Sequence, residues 1–480
     1  MLTRRSFVKA SVGMMSFVAG GSLTAASRSL HVVVIGSGAA GLAAALSAHE
    51  AGADVEILEK MPVIGGNTLV SSGVFNAPDP ERQKKAGIED SPEFFARQTF
   101  ESGHEKGDMR LINQMAYGAL DTMRWLEAQG IAFKPAIFQV YGGLWPRSHN
   151  PVISHGRGYV NILAGACRKA GIPIKTETEV VGFVFERNRV RGVKVKKAGI
   201  PQPDVSADAV VIATGGFSAN GRLCKALDPR LDGMPCTGRA SATGEMLDIA
   251  ERAGAALVGM SDIQCNLGPG EGHRHRTGFH LDVTRYILVN RDGRRFVAED
   301  GARDTIRDAV LAQPGRFAFS VVDSDGFQIL PSLFQQAGAM GIREGGIVRA
   351  DSLEALARAM SVDPKVFMET VGAYNRAVAD GKDPLGREKW MLVNRLQKPP
   401  FFAAKVFMAV HYTMGGIRID PRAHVLRKDG TRIDGLFAAG EVTGGIHGAN
   451  RIGGNGILDA FVFGRIAGSG AAGKDLLFSP

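Results

Sequence analysis

Cysteine is scarce in this chain. Its 480 residues include four, Cys167, Cys224, Cys236 and Cys265, and none sits in a Cys-x-x-Cys or Cys-x-x-Cys-His pattern. That argues against a c-type haem, an iron–sulfur cluster or a structural zinc held by this chain. Four buried thiols are expected; one disulfide stays open in an oxidising compartment, and the sequence alone does not pair them. Runs of basic residues are missing too. The formal net charge is +9, but Lys and Arg are scattered, which speaks against a nucleic-acid surface. The mild excess suits anionic cofactors and substrates. No apolar stretch reaches the roughly 20 residues of a membrane span, so none is expected. What is there is ordinary globular material, 45% hydrophobic and 22% charged. The chain is too long for a single compact core, so two domains are expected.

At the N-terminus, Arg4-Arg5 precede a weakly hydrophobic, small-residue stretch from Ala10 to Ala26, with Thr24-Ala25-Ala26 suited to cleavage. Residues 1–26 resemble a twin-arginine export signal. The resemblance implies a periplasmic protein exported after folding around its cofactor; the alternative is a disordered basic tail.

His31-Val32-Val33-Val34-Ile35 is a continuous apolar, β-branched run, the pattern of a parallel strand buried on both faces. Gly36-Ser37-Gly38-Ala39-Ala40-Gly41 follows at once, and then a strong helix former, Leu42-Ala43-Ala44-Ala45-Leu46. Such a unit holds a dinucleotide: the glycines permit a tight turn, close approach to pyrophosphate and helix–strand packing. A second strand, Asp54-Val55-Glu56-Ile57-Leu58, ends in Glu59, placed to bind ribose hydroxyls.

A second glycine turn follows, Lys60-Met61-Pro62-Val63-Ile64-Gly65-Gly66-Asn67-Thr68. With Ala209-Val210-Val211-Ile212-Ala213-Thr214-Gly215-Gly216 and Asp434-Gly435-Leu436-Phe437-Ala438-Ala439-Gly440-Glu441, it resembles the fumarate reductase and succinate dehydrogenase flavoprotein family. The resemblance implies an α/β fold, a Rossmann-like FAD-binding domain with an inserted α+β capping domain. It assigns Gly36, Gly38, Ala40, Gly41, Glu59 and Lys60 to the cofactor. Gly66, Asn67, Thr68, Gly73, Val180, Ala213, Thr214, Gly215 and Glu441 join them. Asn67 stands near where membrane-bound members carry a flavin-linking His, which implies non-covalent FAD, as in the soluble flavocytochrome c branch without its haem domain.

Adding hydride to an unsaturated acid builds negative charge beside the carboxylate, so the chemistry asks for cations on that carboxylate and a proton donor opposite the flavin. His411-Tyr412-Thr413-Met414-Gly415-Gly416 and the run Thr443 to Asn455 resemble the family's substrate motifs. They imply that His411 and Arg451 clamp the carboxylate and that Gly454 lets backbone approach, with Gly73 and Asn266 also at the substrate and Gly456 and Ile457 against the flavin ring. His447 reads as structural. The segment Arg291 to Asp304 resembles the stretch that ends in the family's proton donor, here Arg303. Asp282 and Arg285 keep the spacing of its proton relay, with Asp in place of Glu; a plain surface ion pair is the alternative.

Two positions depart from fumarate reductases. Asn266 replaces a His and Leu281 a Thr that grip the second carboxylate, which implies that the far end of the substrate is not a carboxylate or is bound differently; among fumarate-, acrylate-, urocanate- and cinnamate-like acids a mono-carboxylate enoate is favoured over fumarate itself. The Gly272-His273-Arg274-His275-Arg276 cluster reads as a solvated basic loop rather than a metal site. Residues 351–378 read as capped helices. The expected organisation is an FAD domain over residues 30–260 and 404–480, with a cap over 261–403. The expected function is an FAD-dependent reductase of a small unsaturated carboxylate, fed by a periplasmic cytochrome. The alternatives are a dehydrogenase of succinate- or tricarballylate-like acids running in reverse, and a flavin electron-relay protein. No metal is expected.

Overall fold

The computed structural model describes residues 28–153, 155–269, 278–330 and 332–479. The export-signal segment and the Gly272–Arg276 cluster lie outside the described residues.

The β-branched runs become the centre of a parallel layer. Strands Ile174–Lys175, Asp54–Leu58, His31–Ile35, Ala209–Ile212 and Arg432–Ala438 lie side by side in that order. Val34 pairs with Ile57 on one side and Val211 on the other, and Val211 pairs with Phe437. These side chains are buried, and helices Ala39–Glu50 and Asn455–Ala471, packed on each other, lie against the strands. Beyond Arg432–Ala438 the ten-stranded sheet continues into the hairpin Thr178–Glu186 and Arg189–Lys197. The strands come from both ends of the chain, so the segment between is an insertion.

Helix Ala39–Glu50 packs on the C-terminal helix Asn455–Ala471 through small residues. A Cβ on Gly464 would lie 2.6 Å from the Ala40 carbonyl oxygen, and one on Gly468 only 2.0 Å from that of Ala44. That closeness brings the N-terminal ends of both helices to one region below the sheet's carboxyl edge.

The insertion forms a five-stranded antiparallel sheet. Strands Ile263–Gly268, Phe401–Thr413, Phe317–Val322 and Ile287–Val289 follow in that order, and Ile347–Ala350 also pairs with Phe401–Thr413. Helices Leu353–Met360 and Pro364–Asp380 cover one face, their starts capped by Ser352 and Asp363 as the sequence suggests. A buried cluster of Arg295, Glu299, Asp383 and Arg387 holds the segment leading to helix Arg303–Leu311. The boundary expected at residue 403/404 falls inside strand Phe401–Thr413, whose pairing with Ile263–Gly268 runs on to Thr413; the return to the parallel unit comes after it. Among the described residues no helix is long and apolar enough to cross a membrane.

Cys167, Cys224 and Cys265 are buried and unbridged. Cys236 corrects the expectation of four buried thiols: it is half-buried, with Ser218 and the Gly238 amide as partners.

Candidate active site

An elongated cleft, about 2030 Å³ with the open solvent at its mouth included, runs from the first glycine turn to the antiparallel sheet. Its first half is backbone-rich. Gly36 has φ +102°, and a Cβ there would lie 2.4 Å from the Ala213 carbonyl oxygen, so only glycine fits the turn. Glu59 is anchored by the Ser37 amide and hydroxyl and by the Met61 amide. Gly38, Ala40, Lys60, Asn67, Thr68 and Val180 share this wall. Gly66 and Gly215 line it too, and no atom lies within 4 Å of where their Cβ would be. Thr214 presents a buried hydroxyl with no hydrogen-bond partner among the described residues. Open glycine faces, an oriented carboxylate and an unsatisfied hydroxyl in one groove fit an extended dinucleotide. Glu441, fully buried on the same wall, accepts from the Thr413 amide at 3.1 Å. Burial pushes its carboxyl up to about 7.

Cations gather in the second half. Arg303 starts the helix Arg303–Leu311 of the inserted unit, and Arg451 comes from the loop before the C-terminal helix. Both are nearly buried. Gln264 joins them: its Oε1 accepts from Arg303 Nη1 and Arg451 Nη2, each at 3.0 Å. The same amide donates to the Arg451 carbonyl at 2.8 Å. Arg303 also donates to the Tyr141 carbonyl at 3.0 Å and lies over the Tyr141 ring, while Arg451 stacks over Tyr412. Burial lowers the Arg451 guanidinium from its ordinary value. His411 projects from strand Phe401–Thr413, its Nδ1 2.6 Å from the Thr237 hydroxyl. Gly454, Gly456, Ile457 and Asn266 complete this end. Gly454 has φ +89°, and a Cβ there would strike Asn76. The arrangement can hold an organic anion between guanidinium groups in a largely dry space.

Five of the residues singled out from sequence are not on the cleft wall. Gly41 packs against the Gly36 carbonyl, a helix–strand contact. Gly73, between the cleft residues Ser72 and Val74, abuts the His155–Gly156 backbone, and its carbonyl accepts from the Tyr159 hydroxyl. Asp282 caps its own short turn through Thr284, and Arg285 stands 3.6 Å from Asp282 and 3.9 Å from Asp325. His447 is buried against Asp459, a structural contact.

Sequence reading missed Gln264, Tyr141 and His280, all buried. Gln264 was findable. It lies two residues before Asn266, on the alternation expected of a strand, although the structure has a register irregularity between Gln264 and Cys265. Tyr141 and His280 belong to no motif and carry no local signal.

Residues 31–457 match the FAD binding domain family. The chain is 38% identical over 444 residues to a fumarate reductase (cytochrome) of Shewanella frigidimarina, covering 92% of this chain and 76% of that protein. It is 33% identical over 452 residues to a urocanate reductase of Eggerthella lenta, covering 92% and 74%. Among solved structures it resembles the open conformation of a flavocytochrome c3 fumarate reductase, with a TM-score of 0.73 and 33% identity over 93% of this chain and 78% of that one. The matched span, the two glycine turns and the groove between them lead to one conclusion: the chain belongs to the FAD binding domain family, as an FAD-dependent oxidoreductase acting on CH–CH bonds.

Proposed function

We propose that this enzyme reduces a small α,β-unsaturated carboxylate, with one carboxylate serving as the handle. The observation that carries the reading is the pair of buried guanidinium groups, Arg303 and Arg451, tied to one amide, Gln264. Arg451 and His411 hold the carboxylate; charge developing beside it in the transition state is drawn toward them. Bound FAD supplies the hydride. Arg303 delivers the proton from the cap side. A guanidinium has a pKa above 12 in water, so it gives up a proton only to a strong base held against it, here the developing carbanion. Asp282 and Arg285 lie off the cleft wall, and the return of a proton to Arg303 is assigned to them on the spacing they share with the family's relay.

In this reading the parallel-sheet unit holds FAD without a covalent bond, Asn67 offering no nucleophile for one. The antiparallel unit is a cap that excludes water on closing. Asn266 and Leu281 offer no charge to a second carboxylate, which favours mono-carboxylate enoates. A relative of Eggerthella lenta, a urocanate reductase by name, supports that choice. Export by the twin-arginine route and a periplasmic cytochrome as electron source complete the proposal.

The test is a spectral titration of the purified yellow holoprotein with enoic acids, followed by turnover with reduced viologen. Enoates should perturb the flavin bands and be consumed. If none of them does either, the reading is wrong.

A further inference from the structure

Arg303 is set by two segments, one from each unit, and those segments meet a second time at a pair of tryptophans. The first is the loop of residues 139–147, which joins the paired strands Phe133–Phe138 and Ser148–Pro151. Its Tyr141 carbonyl accepts from Arg303 Nη2 at 3.0 Å, and its Gly142 carbonyl accepts from the Gly453 amide at 2.6 Å. A Cβ on Gly142 would lie 2.8 Å from Arg303 Cγ, and one on Gly453 would lie 3.2 Å from Arg303 Nη2. The Arg303 side chain is therefore fitted closely against both backbones. The far end of the loop is anchored by Arg147, fully buried, which bonds Asp90 at 2.8 Å and stacks over Phe95.

The second segment is residues 383–391 of the inserted unit. Arg387 donates to Glu299 at 2.6 Å, and the Glu388 amide donates to Asp300 at 2.8 Å. Glu299 and Asp300 lead directly into helix Arg303–Leu311. Trp390 follows in the short turn Lys389–Met391 and reaches back to the loop. Its Nε1 donates to Gln139 Oε1 at 3.3 Å, and its ring meets that of Trp145 edge-on, at 6.0 Å and 73°. Trp145 rests in turn edge-on against Phe94 at 5.1 Å and donates to the Glu89 carbonyl. The contacts close a circuit: Arg303 to the Tyr141 loop, Trp145 to Trp390, Glu388 to Asp300, and back along the chain to Arg303.

We propose that Trp390 is a positioning residue: seated on Trp145 and Gln139, it registers the Arg303-bearing segment against the loop of residues 139–147 and so aims the guanidinium. This rests on the reading that Arg303 delivers the proton. The bonds to Gln264 and to the Tyr141 carbonyl hold only the guanidinium end, and the carbonyl moves with its loop. A contact between the two segments fixes the backbones as well. Trp390 is 49% exposed, so it adds little to the core of its own unit; its aromatic contact is across to the other. His411 and Arg451 stand on other segments, strand Phe401–Thr413 and the loop before the C-terminal helix, so the hold on a carboxylate does not pass through this circuit.

The test uses holoenzyme and reduced viologen, with kcat and KM measured per bound flavin for fumarate, acrylate and urocanate. Trp390→Ala should lower kcat about tenfold and leave KM within about threefold, since a small misplacement of a reacting group costs rate rather than binding. Trp390→Phe keeps a ring against Trp145 and should recover most of the rate. Because Trp390 acts through Arg303, adding Trp390→Ala to Arg303→Ala should cost nothing further. A purely structural role predicts otherwise: a lower melting temperature and FAD content, with the rate per bound flavin unchanged. That result overturns the proposal, as do losses that multiply in the double variant or a Trp390→Phe as slow as Trp390→Ala. If Arg303→Ala is inactive and Trp390→Ala is normal, this inference fails alone. If Arg303→Ala turns over at the wild-type rate, the underlying reading fails with it.

Discussion

At the scale of single residues, the site depends on side chains that hold other side chains. Gln264 touches both guanidinium groups, so Gln264→Leu, similar in volume and unable to hydrogen bond, should loosen both. Hydrogen bonds to charged groups contribute about 1.5–3 kcal/mol, which converts to a loss of roughly 10- to 100-fold in kcat/KM. FAD content, measured by absorbance, should not change. Glu441 gives a pH signature. Its carboxyl is held neutral up to about 7 by burial, against an ordinary value of 4.5. The folded protein therefore binds a proton more tightly than the unfolded chain, and stability falls as pH rises from about 4.5 to 7, by on the order of 3 kcal/mol. Denaturant unfolding of the flavin-free protein should show that slope, and Glu441→Gln should flatten it. Contiguous motifs carry a sequence signal: Gly36, Gly38, Gly66, His411 and Arg451 line the cleft, while Gly41 of the first turn packs behind it. His280 and Tyr141 carry none, because what matters in them is a contact between units distant in the chain.

At the scale of elements, the decisive contact is between helices Ala39–Glu50 and Asn455–Ala471. Their glycine and alanine faces let backbones touch, which fixes where the first glycine turn and Gly454 meet the cleft. Gly468→Val has no room beside the Ala44 carbonyl, and overpacking of this kind costs about 1–3 kcal/mol. The variant should show a lower melting temperature and weaker FAD retention on gel filtration. Short buried strands with glycine turns were readable because burial on both faces and tight turns each leave a compositional mark. The strand Phe401–Thr413 was cut at Ala404 in the sequence reading for the opposite reason: its residues are apolar at both ends, with no glycine or proline until Gly415-Gly416. Only its pairing with Ile263–Gly268 shows that it is one strand.

At the scale of the molecule, two units are tied across the cleft beside helix Arg303–Leu311. His104 of the parallel unit lies 2.6 Å from Asp304, next to Arg303, and Lys106 lies 3.4 Å from Asp262. Each tie has one exposed partner, His104 or Lys106, and is therefore weak, about 0.2–1 kcal/mol. His104→Ala should lower kcat/KM by up to about fivefold, and the difference from wild type should shrink at high salt. The insertion itself was legible, since the parallel layer draws strands from both chain ends, but how the units face one another was not. The whole account turns on Arg303 as the group that completes the reduction. The most direct measurement is reduction of an enoate by Arg303→Ala holoenzyme under reduced viologen. The account predicts that the variant keeps its FAD and still shows an enoate-induced spectral change, while turnover drops roughly 10³-fold, the scale of losing a positioned acid. Turnover at the wild-type rate would contradict it.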